Sequence, residues 1–322
     1  MSSNTPRHFV DIADLKRGEL EEILAMAEET RRNLEQGVVA EPQILAGSAT
    51  AFLSTKESLR TTDAIAQASA RLGGGFVYLG KDSTVDETGK PREPLSDMTK
   101  CLDAQGCPVI FARLGPHTDI MEMVEAAENA SVVNALTDDS HPTQAVADIE
   151  ALRIARPSPD KYRIVFSGDG NNVAVSLAEA AVLLGYNFVH TGPNDPEYQI
   201  DPARWDRIQY IAGRNGGSAV FEVNPDEAVR DADMVYADVF ASMGKKGEAD
   251  VRRKDLAPWK VTEKLMERAG EQAVFGHCLP AIRGEEVDAS VVDDPERSIA
   301  FQIAGCRMDA MVAIMRFLRE KN

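Results

Sequence analysis

A short stretch of the chain combines hydroxyl and cationic side chains. Ser58, Arg60 and Thr61 follow an apolar run, 49–53, and precede helix-compatible sequence that stops at three glycines, 73–75. A strand that delivers Ser, Arg and Thr to a helix N-terminus can bind an anion, because free N–H groups, the helix dipole and a guanidinium then converge. The stretch therefore predicts an oxyanion site. By itself it also fits an ordinary capped helix with surface charges.

The elements that must position this stretch are alternating strands and helices. The predicted strands are 49–53, 76–79, 109–112, 132–135, 162–166, 188–191, 219–223, 234–237 and 273–277. The predicted helices are 11–36, 60–72, 93–105, 118–129, 142–156, 174–184, 202–214, 258–268 and 299–319. Strands that are apolar on both faces and separated by helices are typical of parallel sheets. We therefore expect the α/β fold class.

A stop signal, Arg156-Pro157-Ser158-Pro159, divides this alternation into two halves, and 322 residues suffice for two domains. We expect two domains, each a parallel sheet flanked by helices, with the active site in the interdomain cleft. The first domain would span 1–150 and the second 151–298, and the C-terminal helix, about 299–322, would pack back on the first. Ligands of such sheets bind beyond the carboxyl ends of the strands.

Polar residues follow nearly every predicted strand, as an active site at those ends requires. In addition to the predicted oxyanion site at Ser58, the strand ends carry Arg113, the segment 138–144 with His141 and Gln144, the segment 167–172, the segment 238–244 and Cys278-Leu279-Pro280. Each has a plainer interpretation. Arg113 by itself fits a surface ion pair, His141 fits a helix start, and Cys278 fits a buried inert thiol.

Composition restricts the classes of function. The net charge of −17 disfavours nucleic-acid binding, which needs clustered cations. The four cysteines lack C-x-x-C spacing, no apolar run is long enough to span a bilayer, and no leader pattern is present, so we expect a cytoplasmic protein. Gly168 to Val173 lacks the third glycine of the dinucleotide fingerprint. Neither a hydrolytic triad nor a metal-ligand spacing stands out, and we expect neither metal nor cofactor.

Taken together, these motifs resemble the ornithine carbamoyltransferase family from the first helix to the last. The resemblance rests on Ser58-Leu59-Arg60-Thr61, Arg113, His141-Pro142-Thr143-Gln144, Asn171-Asn172, Asp238 with Ser242-Met243-Gly244, and His277-Cys278-Leu279-Pro280, in that order. The run after Pro280, residues 281–287, looks like the ornithine branch of the superfamily and not the aspartate branch. The resemblance implies carbamoyl transfer from carbamoyl phosphate to an amine, most simply L-ornithine, which gives L-citrulline and phosphate without cofactor or metal.

The resemblance also implies roles for individual residues. Carbamoyl phosphate would be bound by Ser58, Leu59, Arg60, Thr61, Arg113, His141, Gln144, Cys278, Leu279 and Arg307, of which Arg60, Arg113, His141, Cys278 and Arg307 would be catalytic. The acceptor would be bound by Asn172, Asp238, Ser242 and Met243. The family is trimeric, and a loop at about Lys81–Asp97 would enter the neighbouring subunit's site. We therefore expect a homotrimer or a multiple of trimers.

Several positions depart from the family pattern. Leu59 replaces a usual Thr, Thr62 replaces a usual Arg, the loop 81–93 is longer, and Gly305-Cys306 replaces Glu-Asn before Arg307. Loss of one phosphate-binding hydroxyl costs about 1 kcal/mol. Two alternatives therefore stay open. One is the same chemistry on another amine, such as lysine, an acylated ornithine or another diamino acid, and the other is a non-catalytic paralogue that binds an anionic metabolite or a partner protein.

Overall fold

The computed structural model describes residues 6–38, 41–88, 92–157, 160–241 and 246–320. Within these ranges the strands are β1 Ala49–Ser54, β2 Gly75–Leu79, β3 Val109–Arg113, β4 Ser131–Leu136, β5 Arg163–Ser167, β6 Asn187–Thr191, β7 Ser218–Phe221, β8 Met234–Ala237 and β9 Val274–His277. The helices are α1 Arg17–Glu35, α2 Leu59–Arg71, α3 Lys81–Thr84, α4 Leu95–Ala104, α5 His117–Ala126, α6 Pro142–Ala155, α7 Asn172–Leu183, α8 Pro202–Asn215, α9 Pro225–Ala228, α10 Ala249–Leu256, α11 Glu263–Ala269, α12 Ala289–Val292 and α13 Ala300–Glu320.

The chain divides into two compact units. The first comprises Met1–Asp14, Glu21–Val146 and Cys306–Asn322, and the second comprises Leu15–Leu20 and Ala147–Gly305. Each unit contains one sheet in which all the strands are parallel. The expected α/β class, with two parallel sheets flanked by helices, is confirmed.

The sheet of the first unit has the order β2-β1-β3-β4. Its interior strands are apolar on both faces, and every residue of β3 and β4 is buried. Leu53, Ile110 and Val132 form one core with Met98 of α4 and Ile120 of α5. Burial on both faces explains why these strands read as continuous apolar runs.

The sheet of the second unit has the order β7-β6-β5-β8-β9. Val165, Val235 and Phe275 pack from three of its strands against Leu265 and Met266 of α11. Helix α7 is buried from Val173 to Leu183, and nearly all of these residues are apolar.

Strand order decides where ligands can bind in each unit. In the first sheet the order reverses between β1 and β3, and in the second it reverses between β5 and β8. At such a point the connections leave in opposite directions and open a crevice at the carboxyl ends of the two strands. The segments that follow β1, β3, β5 and β8 all carry polar candidates, and further candidates follow the neighbouring strands β4 and β9.

Two predicted helices differ from the structure. A 3₁₀ turn at Ile12–Asp14 precedes α1, which begins at Arg17 and not at residue 11. The helix predicted over 258–268 is wrong: α10 precedes it, a 3₁₀ turn at Ala257–Trp259 follows, and α11 begins at Glu263. Pro258 is tolerated only in a first turn, and the Thr262 hydroxyl caps α11 by accepting the N–H of Leu265.

None of the helices in the described ranges has both the length and the apolar character needed to cross a membrane.

Candidate active site

The junction of β1 and α2 has the geometry of an anion-binding helix start. Ser58 is the N-cap residue of α2, with φ −157° and ψ 102°, and its Oγ accepts the N–H of Thr61 at 3.3 Å. Helix α2 therefore begins directly at Leu59, and its first turn presents backbone N–H groups at the carboxyl end of β1. The strand-to-helix connection predicted from the sequence is confirmed.

Arg307, on α13, connects two other candidate residues of the first unit. Its Nη2 donates to Thr61 Oγ1 at 2.7 Å and its Nη1 donates to Gln144 Oε1 at 2.5 Å. All three side chains are buried. Because the Thr61 oxygen accepts from a guanidinium, the Thr61 O–H is directed elsewhere as a donor. The Gln144 oxygen faces Arg307, which turns its NH₂ group, also a donor, the other way.

His141 lies among cationic groups and is a neutral base. Burial lowers the pKa of His141 well below its ordinary value, and the charges of Arg307, Arg113 and Arg60 lower this pKa further. The Thr143 hydroxyl is 3.5 Å from its Nδ1. At neutral pH the ring is an uncharged imidazole, which can donate one N–H to an electron-rich oxygen without carrying a proton away. Arg113, the last residue of β3, is itself buried.

The second unit holds a separate set of candidate residues around Asp238. Asn171 Nδ2 donates to Asp238 Oδ2 at 2.7 Å, and the Cys278 thiol donates to Oδ1 at 3.1 Å. The N–H of Val239 also donates to Oδ1, at 2.8 Å. Ala237 and His277 are register partners, so the residue after each, Asp238 and Cys278, must be neighbours. The carboxylate thus has its position fixed by three donors from three segments.

The segment after β9 is held by a buried histidine–glutamate pair. His277 Nδ1 accepts the N–H of Leu279 at 2.8 Å, so Nε2 carries the ring proton and donates to Glu286 Oε1 at 3.2 Å. The N–H of Ile282 donates to the same oxygen at 2.6 Å. Leu279 has φ 55°, a left-handed conformation that these contacts hold in place.

The same pair argues against a metal ion at the cluster of Asp238, His277 and Cys278. Ligand atoms of Asp238, His277 and Cys278 lie within 4.8 Å of one another, close enough for one cation. However, His277 Nδ1 accepts the N–H of Leu279, and its protonated Nε2 donates a hydrogen bond to Glu286. A histidine in this state has no nitrogen left to coordinate a metal.

His190, a buried histidine of the second unit, predicts that the stability of the fold decreases at acidic pH. The His190 ring is 3.0 Å from the Gly168 carbonyl oxygen, to which it donates, and burial lowers the pKa of His190 to about 4. Between pH 6.5 and about 4 the unfolded chain binds a proton at this residue that the folded chain excludes, so stability falls as the pH falls. The free energy of unfolding should therefore fall less in His190→Gln than in the parent between pH 7 and 4.5. We expect the difference between the two falls to be about 2 kcal/mol.

Urea unfolding of the parent and of His190→Gln at pH 7 and 4.5 measures this difference. Other groups also titrate, so the readout is the gap between the two proteins at each pH. An equal loss of stability in both proteins would show that His190 does not contribute.

Comparisons with known proteins match the whole chain. Residues 7–153 match the family model for the aspartate/ornithine carbamoyltransferase carbamoyl-P binding domain, and residues 160–318 match that for the Asp/Orn binding domain. The ornithine carbamoyltransferase of Symbiobacterium thermophilum is 37% identical over 322 residues, which cover 99% of both chains. That of Thermococcus kodakarensis is 36% identical, over 96% of this chain and 95% of its own. The chain belongs to the aspartate/ornithine carbamoyltransferase family.

Solved structures of this carbamoyltransferase family are also similar. Ornithine carbamoyltransferase from Pyrococcus furiosus has a TM-score of 0.89 and 33% identity, over 98% of both chains. The anabolic ornithine carbamoyltransferase from Campylobacter jejuni has a TM-score of 0.89 and 26% identity, over 98% of this chain and 100% of its own.

The carbamoyltransferase candidates thus fall into two sets. The first unit brings Thr61, Gln144 and Arg307 into direct contact and surrounds His141 with cations. In the second unit Cys278, with Leu279 next to it, contacts the acceptor candidate Asp238. Ser242 and Met243 lie outside the described residues. Asn172 is the first residue of α7.

The sequence did not indicate the roles of three residues that position Asp238 and the segment after β9. Asn171 Nδ2 donates to Asp238, while Asn171 Oδ1 caps α7. An Asn before a helical pattern is a signal for a cap, and it was available in the quoted motif. His277 stands in the motif before Cys278, but the motif does not indicate its hydrogen bond to Glu286. For Glu286 no local signal exists, because its partner is nine residues away.

The departures from the carbamoyltransferase pattern have structural explanations. The Leu59 side chain is 83% exposed, so its contribution to the helix start is its backbone N–H. The Thr62 hydroxyl donates to the Ser58 carbonyl at 2.6 Å. Cys306 is fully buried, with its Sγ 3.8 Å from Arg31 Nη2. The Arg92 Nε donates to the Val85 carbonyl at 2.9 Å and ties together the described part of the 81–93 loop.

Proposed function

We propose that the protein transfers the carbamoyl group of carbamoyl phosphate to the side-chain amine of L-ornithine, giving L-citrulline and phosphate. The observation that carries this proposal is the match to ornithine carbamoyltransferases over 96% to 99% of the chain, at 36% and 37% identity. The arrangement of Arg307, Thr61 and Gln144 in the first unit supports it, because these groups suit a carbamoyl phosphate oxyanion.

The first unit would bind carbamoyl phosphate. Ser58, Arg60 and Thr61, with the N–H of Leu59, would hold the phosphate at the start of α2, where N–H groups and the helix dipole favour negative charge. Arg113, His141, Gln144 and Arg307 would donate to the carbamoyl group. The amine attacks the carbonyl carbon, negative charge develops on its oxygen, and the C–O bond to phosphate breaks. Donors held in place before the reaction stabilise that charge.

The second unit would bind the acceptor. Asp238 would pair with its ammonium end, and Asn172, Ser242 and Met243 would complete the contact. The attacking amine must lose a proton, and Asp238 and Cys278 are the groups proposed to influence it, since their side chains are hydrogen-bonded at 3.1 Å. Leu279 would lie beside the attacking amine. Holding both substrates in register supplies a further part of the acceleration.

We also propose that the two domains divide this work as the sequence predicts, with 1–150 for carbamoyl phosphate and 151–298 for the acceptor. The family models support this division by their descriptions and by their ranges, 7–153 and 160–318. The proposed packing of the C-terminal helix on the first domain is supported by the Arg307–Thr61 hydrogen bond and by Thr50 Oγ1, 3.7 Å from Met315 Sδ.

A ureido-product assay tests the function. Purified protein is incubated with carbamoyl phosphate and, in parallel, with ornithine, lysine, an acylated ornithine and other diamino acids. We expect turnover with ornithine. Turnover with another amine alone would replace ornithine by that acceptor and keep the chemistry. If no amine reacts and carbamoyl phosphate gives no protection against heat unfolding, the transferase proposal fails.

We propose a homotrimer, and the edge strand β2 supports association. Val77 and Tyr78 are each 43% exposed on this strand, although both are apolar and lie on an unpaired sheet edge. An exposed apolar edge of this kind favours contact with another chain. We expect light scattering to give three times 35.0 kDa, and Tyr78→Glu to shift the mass toward a single chain. A monomeric parent protein would contradict this proposal.

A cytoplasmic location is proposed on the state of the cysteines. Cys101, Cys107, Cys278 and Cys306 are all free thiols. Proteins of oxidising compartments usually pair their cysteines.

A further inference from the structure

A buried guanidinium on α10 contacts both segments that carry the proposed acceptor-binding residues. Arg252 is fully buried. Its Nη2 pairs with Asp169 Oδ2 at 2.8 Å, and its Nε donates to the carbonyl of Phe240 at 3.2 Å. Asp169 belongs to the segment after β5 and Phe240 to the segment after β8, the two strands between which the sheet order reverses. A planar guanidinium can bond several acceptors at fixed angles, which a lysine cannot.

Further contacts make the position of Arg252 specific. Its Nη1 lies 3.2 Å from Glu197 Oε1, and its Cζ stands 4.7 Å over the ring of Tyr198. The Tyr198 carbonyl accepts the N–H of Gly170 at 2.8 Å. A Cβ at Gly170 would lie 2.2 Å from the backbone nitrogen of Ile200, so the segment after β5 packs directly against the backbone that follows Tyr198. Arg252 therefore supports that segment from two sides.

On both segments the residue that contacts Arg252 lies two positions from the hydrogen-bonded pair of Asn171 and Asp238. The Asp169 carbonyl accepts the N–H of Asn171 at 2.8 Å, and Asn171 Nδ2 donates to Asp238. On the other segment, Phe240 follows Asp238 by two residues and is buried with Tyr198. A displacement of Arg252 would thus reach the Asp238 carboxylate through both segments.

We propose that Arg252 is a positioning residue for acceptor binding, which fixes the Asp238 carboxylate by holding the segments after β5 and β8 together. The assignment of Asp238 to the acceptor rests on the proposed function. The path of contacts that leads from Arg252 through Asp169 and Asn171 to Asp238 does not depend on that assignment. In the described ranges Arg252 contacts none of the residues proposed to bind carbamoyl phosphate, so the binding of carbamoyl phosphate is not expected to depend directly on Arg252.

The variant Arg252→Lys tests the proposal while it keeps a positive charge near Asp169. We expect the KM for the acceptor to rise about 10- to 100-fold, because a small misplacement of a binding group has effects of this size. The KM for carbamoyl phosphate should stay within about twofold, since most of its proposed ligands lie in the first unit and Arg252 contacts none of them in the described ranges. Arg253→Lys, the same change one residue away at an exposed ion pair with Asp250 and Glu285, should leave both constants unchanged.

The double variant Arg252→Met with Asp169→Asn separates positioning from stability. Arg252→Met alone leaves a buried carboxylate unpaired and is expected to lower the melting temperature. Removing the Asp169 charge as well should restore much of that loss. The acceptor KM should stay raised in the double variant, because the Phe240 contact is still missing. Recovery of both properties together would overturn the proposal, since Arg252 would then contribute stability alone.

A substrate-free readout keeps this test independent of the proposed function. The Cys278 thiol donates to the Asp238 carboxylate at 3.1 Å, and a thiol held on a partner in this way is less accessible to an alkylating reagent than one released from it. Iodoacetamide alkylation, followed by mass spectrometry of each cysteine, should therefore be several-fold faster at Cys278 in Arg252→Lys. Cys101, which is exposed on α4 of the first unit, serves as the internal control and should react at the parent rate.

The alkylation rate and the two KM values together decide whether Arg252 is a positioning residue. Faster alkylation at Cys278 with a raised acceptor KM supports the proposal. If alkylation is unchanged, or if the KM values for both substrates rise equally, or if alkylation rises without any change in acceptor KM, the proposal is wrong. If the parent protein turns over no amine, the proposed function fails, and the alkylation rate by itself then decides whether Arg252 fixes Asp238.

Discussion

Replacing Arg307 by methionine is expected to lower kcat/KM for carbamoyl phosphate by about 10²- to 10³-fold, the usual loss when one oxyanion donor is removed. Arg307 donates to Thr61 and Gln144, both buried. Without the guanidinium, neither of these side chains keeps the orientation that turns its own donor toward a ligand. Methionine preserves much of the side-chain volume, so the loss reports on charge and hydrogen bonding. Initial rates with carbamoyl phosphate varied at saturating ornithine measure it.

The matched control for this prediction is Arg316→Met on the same helix. Arg316 pairs with Glu29 at 2.8 Å and with Glu41 at 3.5 Å, and within the described part of the chain it pairs with none of the candidate residues. Its replacement should lower thermal stability and leave kcat/KM near the parent value. Equal losses of activity in both variants would mean that α13 acts through stability, and would contradict a specific role for Arg307.

Replacing Asp238 by asparagine is expected to lower kcat/KM for ornithine by about 10²- to 10³-fold, because breaking a hydrogen-bonded charge pair costs 2–5 kcal/mol or more. The carboxylate accepts from Asn171, Val239 and Cys278. An amide NH₂ in the same place must face one of these donors and also lacks the charge that pairs with an ammonium group. Most of the loss should therefore appear in the KM for ornithine, with the KM for carbamoyl phosphate little changed.

Asp226→Asn is the control for this substitution. Asp226 pairs with Arg268 at 3.0 Å, with both side chains 42% exposed, and exposed pairs of this kind contribute little to stability. It should leave both KM values unchanged. An unaltered ornithine KM in Asp238→Asn would remove Asp238 from the proposed acceptor site.

Much of the fold and part of the site could be predicted from the sequence, because both depend on local signals. Buried parallel strands need apolar residues on both faces, so β1, β3 and β4 stand out as apolar runs. The start of α2 follows from Ser58, whose side chain caps the next turn whatever the rest of the chain does. The error at 258–268 has a similarly local cause, since a helical pattern there concealed a proline and a capping threonine.

The amino-acid sequence by itself determined that polar groups stand at the ends of apolar strands, and which groups they are. Only the tertiary structure decided which of them meet. Thr61 and Arg307 are 246 positions apart, and Asp238 and Cys278 are 40 apart. Arg252 carries no motif, and its burial against Asp169 and Phe240 is visible only in the folded unit. These contacts depend on strand order and register, which are set by the packing of whole sheets and leave no periodicity in the sequence.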